Sequence, residues 1–290
     1  MIGIRAALLG LLGATVTGVA LGPGGPDPSV ELSANRLVVE RGAAAERGLA
    51  ALEEALAASL ESARRGAARI VTGDERPGPH LRTAAAQARD ADPIARHAGS
   101  ALQALAAARR ARHPAAASPE PPVGGGELAS IAGQLEATAE AGDEFAAMRL
   151  RMAEVPAALD AALSALDEGD RGDASRHVEA ARTAFADVRA WEVDLVTLPV
   201  WIETIGAMIR AVETLVEAVA VGDAALGEQA AEAFAVASDE ARVADRALRI
   251  AISEGGSAVS AAALGRLARA LEAVHAARME VAVILQAARR

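Results

Sequence analysis

The most constraining feature of the sequence is a run of large apolar residues between Val188 and Val219, spaced alternately by three and four residues. This spacing is typical of a helix that packs against other helices. Polar residues fall off the seam, so the segment is amphipathic and unlike a membrane span. The stretch holds both tryptophans, and we expect it to be the best-buried element. The seam positions are Val188, Trp191, Leu195, Leu198, Ile202, Ile205, Ile209, Val212, Val216 and Val219.

The composition points to the same fold class. Hydrophobic residues make up 52% of the chain, aromatic residues only 2%, and roughly a quarter is alanine, far above ordinary usage. Alanine has the highest helix propensity but buries little surface, so stability must come from long helices in close contact. The sequence predicts an all-α fold: an elongated bundle of about six long, alanine-rich, antiparallel helices with coiled-coil-like seams, preceded by an N-terminal apolar helix.

The first residues resemble a targeting segment. A single arginine, Arg5, precedes an uncharged run from Ala6 to Leu21, and a Gly/Pro-rich linker follows at 23–29. This pattern is typical of a cleaved signal peptide, with an uncleaved membrane anchor as the alternative. Either interpretation of residues 1–22 predicts that the body of the protein is exported.

The rest of the chain divides at one Pro/Gly-rich linker. Residues 113–126 contain four prolines and three consecutive glycines, which separates a predicted helical hairpin at 30–112 from a predicted helical bundle at 127–290. Within the bundle, Gly169-Asp170 or Gly172-Asp173, and then Gly222-Asp223, suit a helix stop followed by a new N-cap.

Other breaks are expected inside these regions. The segment Ser253 to Ser257 is expected to close a helix, and Asp92-Pro93 to start a new one. Pro156 is expected to kink its helix. Pro199 either kinks the central stretch or splits it.

Catalytic machinery is not visible in the sequence. The net charge of −10 argues against nucleic acid as a partner. The chain has no cysteine, no glycine-rich phosphate loop and no nucleophile elbow, so we predict no cofactor and no enzymatic activity. One Glu-x-x-His step, Glu272 to His275, matches half of a di-iron motif, but a second copy is missing.

The leading expectation is therefore an exported or membrane-tethered structural or protein-interaction module, with a protein partner or self-association. An alternative is a small-ligand or sensory domain with a pocket at Trp191, Pro199 and Trp201, because a helix kink separates neighbouring helices and exposes indole edges. A metal-dependent enzyme using Glu272 and His275 is the third and weakest hypothesis.

Overall fold

The computed structural model describes residues 28–72, 76–117, 119–124, 126–191 and 195–290. All regular elements in these ranges are α-helices, which confirms the all-α prediction. The predicted signal peptide or anchor at 1–22 lies outside the described residues. The helices are α1 (Pro28–Thr72), α2 (Gly78–Arg112), α3 (Glu127–Asp167), α4 (Arg171–Arg189), α5 (Leu198–Val221) and α6 (Ala224–Ala288).

The buried side chains form two separate clusters, which we call core 1 and core 2. Core 1 is made by α1, α2, the first part of α3 and the last part of α6. Core 2 is made by the later part of α3, by α4 and α5, and by the earlier part of α6. Each core therefore has four helices around it, and α3 and α6 run through both.

Neighbouring helices are antiparallel, as the sequence predicts. Along α1, Gly48 lies against Ala98 and Gly66 against Leu81, so the numbering of α2 falls as that of α1 rises. The helix α3 passes core 1 first and core 2 second, whereas α6 passes them in the reverse order. The arrangement is two four-helix bundles joined end to end by two shared helices.

The glycine and aspartate residues at the turns act as the sequence predicts. Gly169 and Gly222 have left-handed φ values of 79° and 75°, which glycine adopts without steric cost. The carboxylate of Asp170 caps α4 by accepting from the Asp173 N–H. The carboxylate of Asp223 caps α6 by accepting from two backbone N–H groups.

The expected helix end at Ser253 to Ser257 is wrong, because α6 continues through it. The helix has 65 residues and is therefore about 97 Å long. A glycine in a helix costs about 1 kcal/mol relative to alanine. Burial on both sides offsets that cost, since Ile252 belongs to core 2 and Ala263 to core 1.

The prolines have different effects in the three helices. Pro93 lies inside α2 and Pro156 inside α3, so the predicted new start at Pro93 is wrong. Pro93 is exposed, and we attribute its tolerance to solvent access for the carbonyl that it leaves unbonded. Pro199 occupies the first turn of α5, where a missing N–H costs nothing.

The central stretch is thus two helices and not one. The helix α4 ends at Arg189 and α5 begins at Leu198, so of the two alternatives predicted at Pro199, a kink or a split, the structure has the split. Seam residues of both helices are nevertheless buried in core 2, namely Val188 of α4 and Ile205 and Val212 of α5.

Core 1 also includes a residue of the predicted linker at 113–126. Val123 of that segment is itself buried in core 1, together with residues near the C-terminal end of α6. A division of the chain into a hairpin at 30–112 and a bundle at 127–290 stays a prediction, since both cores draw on residues beyond 127.

Candidate functional site

The three residues of the predicted pocket lie at the turn between α4 and α5. Thr197 is the N-cap of α5, and its carbonyl accepts from the Trp201 backbone N–H at 3.2 Å. Trp201 is 1% exposed, in core 2. Trp191 is half-buried against the same core. In the sequence it immediately precedes residues 192–194, which the structure does not describe.

Two polar atoms at this turn are buried without a hydrogen-bond partner in the described structure: the indole Nε1 of Trp201 and the hydroxyl Oγ1 of Thr197. The ring of Phe185 packs beside the indole of Trp201, with ring centroids 6.3 Å apart and planes tilted by 34°. A buried donor without an acceptor costs about 1–3 kcal/mol. A ligand or water that accepted from the indole would recover that energy.

A surface groove of the described residues lies elsewhere. It has a volume of about 680 Å³ and lies between the end of α1, the middle of α3 and Arg249 of α6. Its walls include four arginines and two exposed aliphatic side chains, Val71 and Leu150. Neither tryptophan nor Pro199 contributes to it.

Two of the four arginines of this groove, Arg151 and Arg249, are paired with neighbouring carboxylates. Arg151 donates to Glu154 at 2.6 Å, which raises the pKa of the guanidinium, and it lies 3.3 Å from Asp187. Arg249 donates to Asp245 at 2.6 Å. These pairings weaken the positive field of the groove at Arg151 and Arg249.

The start of α2 docks on α3 through a carboxylate. Asp143 of α3 accepts from the Gly78 N–H at 3.0 Å and from Arg82 at 2.7 Å. Pro77, the N-cap of α2, offers no side-chain cap, so a carboxylate from another helix satisfies the orphan N–H. Sequence patterns did not predict this long-range cap, because the two residues are 65 positions apart.

Of the two residues in the Glu-x-x-His step, His275 joins a cluster with Glu53 of α1 and Arg278 of α6, whereas Glu272 is exposed. The Nδ1 of His275 lies 2.9 Å from one carboxylate oxygen of Glu53, and Arg278 donates to the other at 2.9 Å. These bonds, from Arg278 first and His275 second, hold the pKa of Glu53 below its ordinary value. Among the described residues, no group of three potential ligands is placed to hold a metal ion.

The outer side of α6 carries a row of exposed aliphatic residues that we call the α6 stripe: Val236, Val243 and Ile250. Their side chains are 57%, 71% and 52% exposed. Seven-residue spacing places them on one face of the helix, opposite the buried face that includes Ala237, Ala241 and Leu248. The stripe was not predicted from the sequence, although it places a β-branched residue at every seventh position, 236, 243 and 250.

The comparisons with known proteins give no relatives. No protein-family model, no curated protein and no solved structure matches the chain. Among the described helices, none has a stretch long and apolar enough to cross a bilayer.

Proposed function

We propose that this protein is an exported or membrane-tethered helical scaffold that acts by binding another protein through the α6 stripe. The observation that carries this proposal is the stripe itself, three β-branched side chains in one line on a 65-residue helix. Amphipathic helices present such lines to a groove or to another helix, with anchors at helical spacing.

The energetic case rests on the surface that the stripe leaves in water. Full burial of one valine or isoleucine side chain is worth about 1.5–3 kcal/mol. Burial of three such side chains offsets part of the entropic cost of association, which favours a weak and reversible contact. Export is supported by residues 1–22 of the sequence alone, with their apolar run after Arg5.

The interaction proposal is tested by photo-crosslinking in the cells that make the protein. A benzophenone amino acid at position 243 is expected to give a covalent adduct of one defined mass. The adduct should be absent when the probe is at Glu217, an exposed position on α5. It should also disappear when Val236 and Ile250 are replaced by glutamate. Equal labelling from both probe positions, or no adduct from 243, contradicts the proposal.

Export is tested separately by sequencing the N-terminus of the native protein and measuring its partition between membrane and soluble fractions. A mature N-terminus near residue 21 or 23, or an intact chain in the membrane fraction, supports export. An intact chain recovered from the soluble cytosol contradicts it.

A second candidate function is the binding of a small ligand at the turn before α5. The buried Trp201 Nε1 and Thr197 Oγ1, both without partners in the described structure, favour it. A ligand with a carbonyl or carboxylate oxygen would accept from the indole.

Its test is a metabolite screen read by tryptophan fluorescence. The expected result is a shift in emission for a ligand with an acceptor oxygen, which Trp201→Phe abolishes and Trp191→Phe leaves in place. Silence of the wild-type protein across such a screen would remove the support for this site.

A further inference from the structure

We propose that the partner at the α6 stripe is a second copy of this chain, with the two α6 helices antiparallel and Val243 on the two-fold axis. The inference rests on the proposed function and specifies its partner. The spacing of the apolar residues and the charges beside them on the outer face of α6 support this arrangement. Within the described residues, no other helix covers the stripe.

The apolar residues of the stripe are self-complementary in this arrangement. Val236 and Ile250 are both seven residues from Val243, on opposite sides, so each is displaced by about 10.5 Å along the helix axis. Antiparallel pairing about Val243 places Val243 against its own copy and Val236 against Ile250 of the second copy. The same residue set thus serves both subunits, as a two-fold interface requires.

The charged residues beside the stripe choose the direction of pairing. Asp239 precedes Val243 by four residues and Arg246 follows it by three, so both lie on the same side of the stripe. Antiparallel pairing puts Asp239 of each chain next to Arg246 of the other. Parallel pairing in register would place Asp239 against Asp239 and Arg246 against Arg246, and like charges across a helix seam disfavour that alternative.

Both charged groups are available for an intermolecular contact. The structure shows no ion pair to Arg246 within the described residues, and its side chain is exposed. Asp239 is paired only with Arg242 one turn away, and both of those side chains are mostly in solvent. Such a pair contributes little stability, so it does not compete strongly with a partner.

The size of the seam predicts a weak, reversible dimer. From 236 to 250 it spans about 21 Å of helix, less than an interface of standard size needs. At each of its two ends, Glu232 of one copy faces Glu254 of the other, which adds two repulsive pairs in all. We therefore expect a dissociation constant in the micromolar range or weaker.

Sedimentation velocity of the full chain over a wide range of concentration tests the proposal. The wild-type protein is expected to show a monomer–dimer equilibrium. Val243→Glu is expected to weaken association by at least about tenfold, since it places two carboxylates on the axis. Val283→Glu is the matched control: it is an exposed valine on the same helix, beyond the paired segment, and should leave the equilibrium unchanged.

Charge exchange tests the direction of the pairing. Asp239→Arg and Arg246→Asp should each weaken the dimer several-fold, and the double variant should restore it. A monomer at every concentration, or a dimer that Val243→Glu does not weaken, overturns the proposal. A double variant at least as weak as the single variants overturns the antiparallel register. If the wild-type chain is monomeric but the probe at 243 labels a different protein in cells, self-pairing fails while the proposed function stands.

Discussion

Close helix contacts in this molecule depend on single glycines. A Cβ atom at Gly66 would lie 2.6 Å from the Cγ of Leu81 and 3.2 Å from its backbone nitrogen, whereas one at Gly133 would meet nothing within 4 Å. We therefore expect Gly66→Ala to destabilise the fold by about 1–3 kcal/mol through overpacking, despite the better helix propensity of alanine. Gly133→Ala should stabilise it by up to about 1 kcal/mol. Urea denaturation measures both, and equal effects of the two substitutions would contradict the packing argument.

A second prediction at the residue scale concerns Glu53, which links α1 to α6. Its pKa lies below 4.5 in the folded state, so its contribution to stability is present above the unfolded pKa and is lost as the pH falls through the folded value. Glu53→Gln should lower the free energy of unfolding at pH 7 by up to about 1 kcal/mol, and by much less at pH 3. Glu54→Gln, an exposed neighbour, is the control. A loss at pH 3 as large as that at pH 7 would exclude the ion-pair explanation.

At the scale of the helix, two prolines in similar sequence contexts have different costs. Pro93 is exposed inside α2, where it removes a backbone hydrogen bond, whereas Pro199 lies in the first turn of α5. Pro93→Ala should raise the free energy of unfolding by about 1–3 kcal/mol. Pro199→Ala should be neutral or slightly destabilising, because proline is preorganised for a helix start. Thermal denaturation of the two variants checks this, and a stabilising Pro199→Ala would contradict the assigned roles.

These elements also show how far the sequence alone predicts the structure. Local chemistry was sufficient at Gly169-Asp170 and at Gly222-Asp223, where the left-handed glycine and the capping carboxylate are each decided within a few residues. It failed at Ser253 to Ser257, because burial of Ile252 and Ala263 in two different cores overrides the low helix propensity of glycine. The role of Arg278 could not be predicted locally, because its partner Glu53 is 225 positions away. The sequence suggested a pocket at Trp191, Pro199 and Trp201. It gave no indication that the hydroxyl of Thr197 beside them is buried without a hydrogen-bond partner in the described structure.

At the scale of the whole molecule, the two cores are connected within the described ranges only through α3 and α6. In the described residues, neither α1 nor α2 contacts α4 or α5. The α6 segment between the cores contains Gly255, where a Cβ atom would meet nothing within 4 Å. Packing therefore does not require a glycine there, and a helix is least stable at such a residue. Two bundles that share only two helices are expected to unfold locally and separately, as the repeats of a repeat protein do when each contacts only its neighbours.

Leu56→Ala and Ile209→Ala test that independence, because these residues are buried in core 1 and core 2 respectively and lie on unshared helices. Each should destabilise its own bundle by about 2–5 kcal/mol. Leu56→Ala should accelerate amide hydrogen exchange in α1 and α2 and leave α4 and α5 nearly unchanged, and Ile209→Ala should do the reverse. Gly255→Ala, by stiffening the shared helix, should spread each effect further into the other bundle. If both core variants accelerate exchange equally along the whole chain, the two bundles unfold together as one cooperative unit. The continuity of α3 and α6 would then outweigh the separation of the cores.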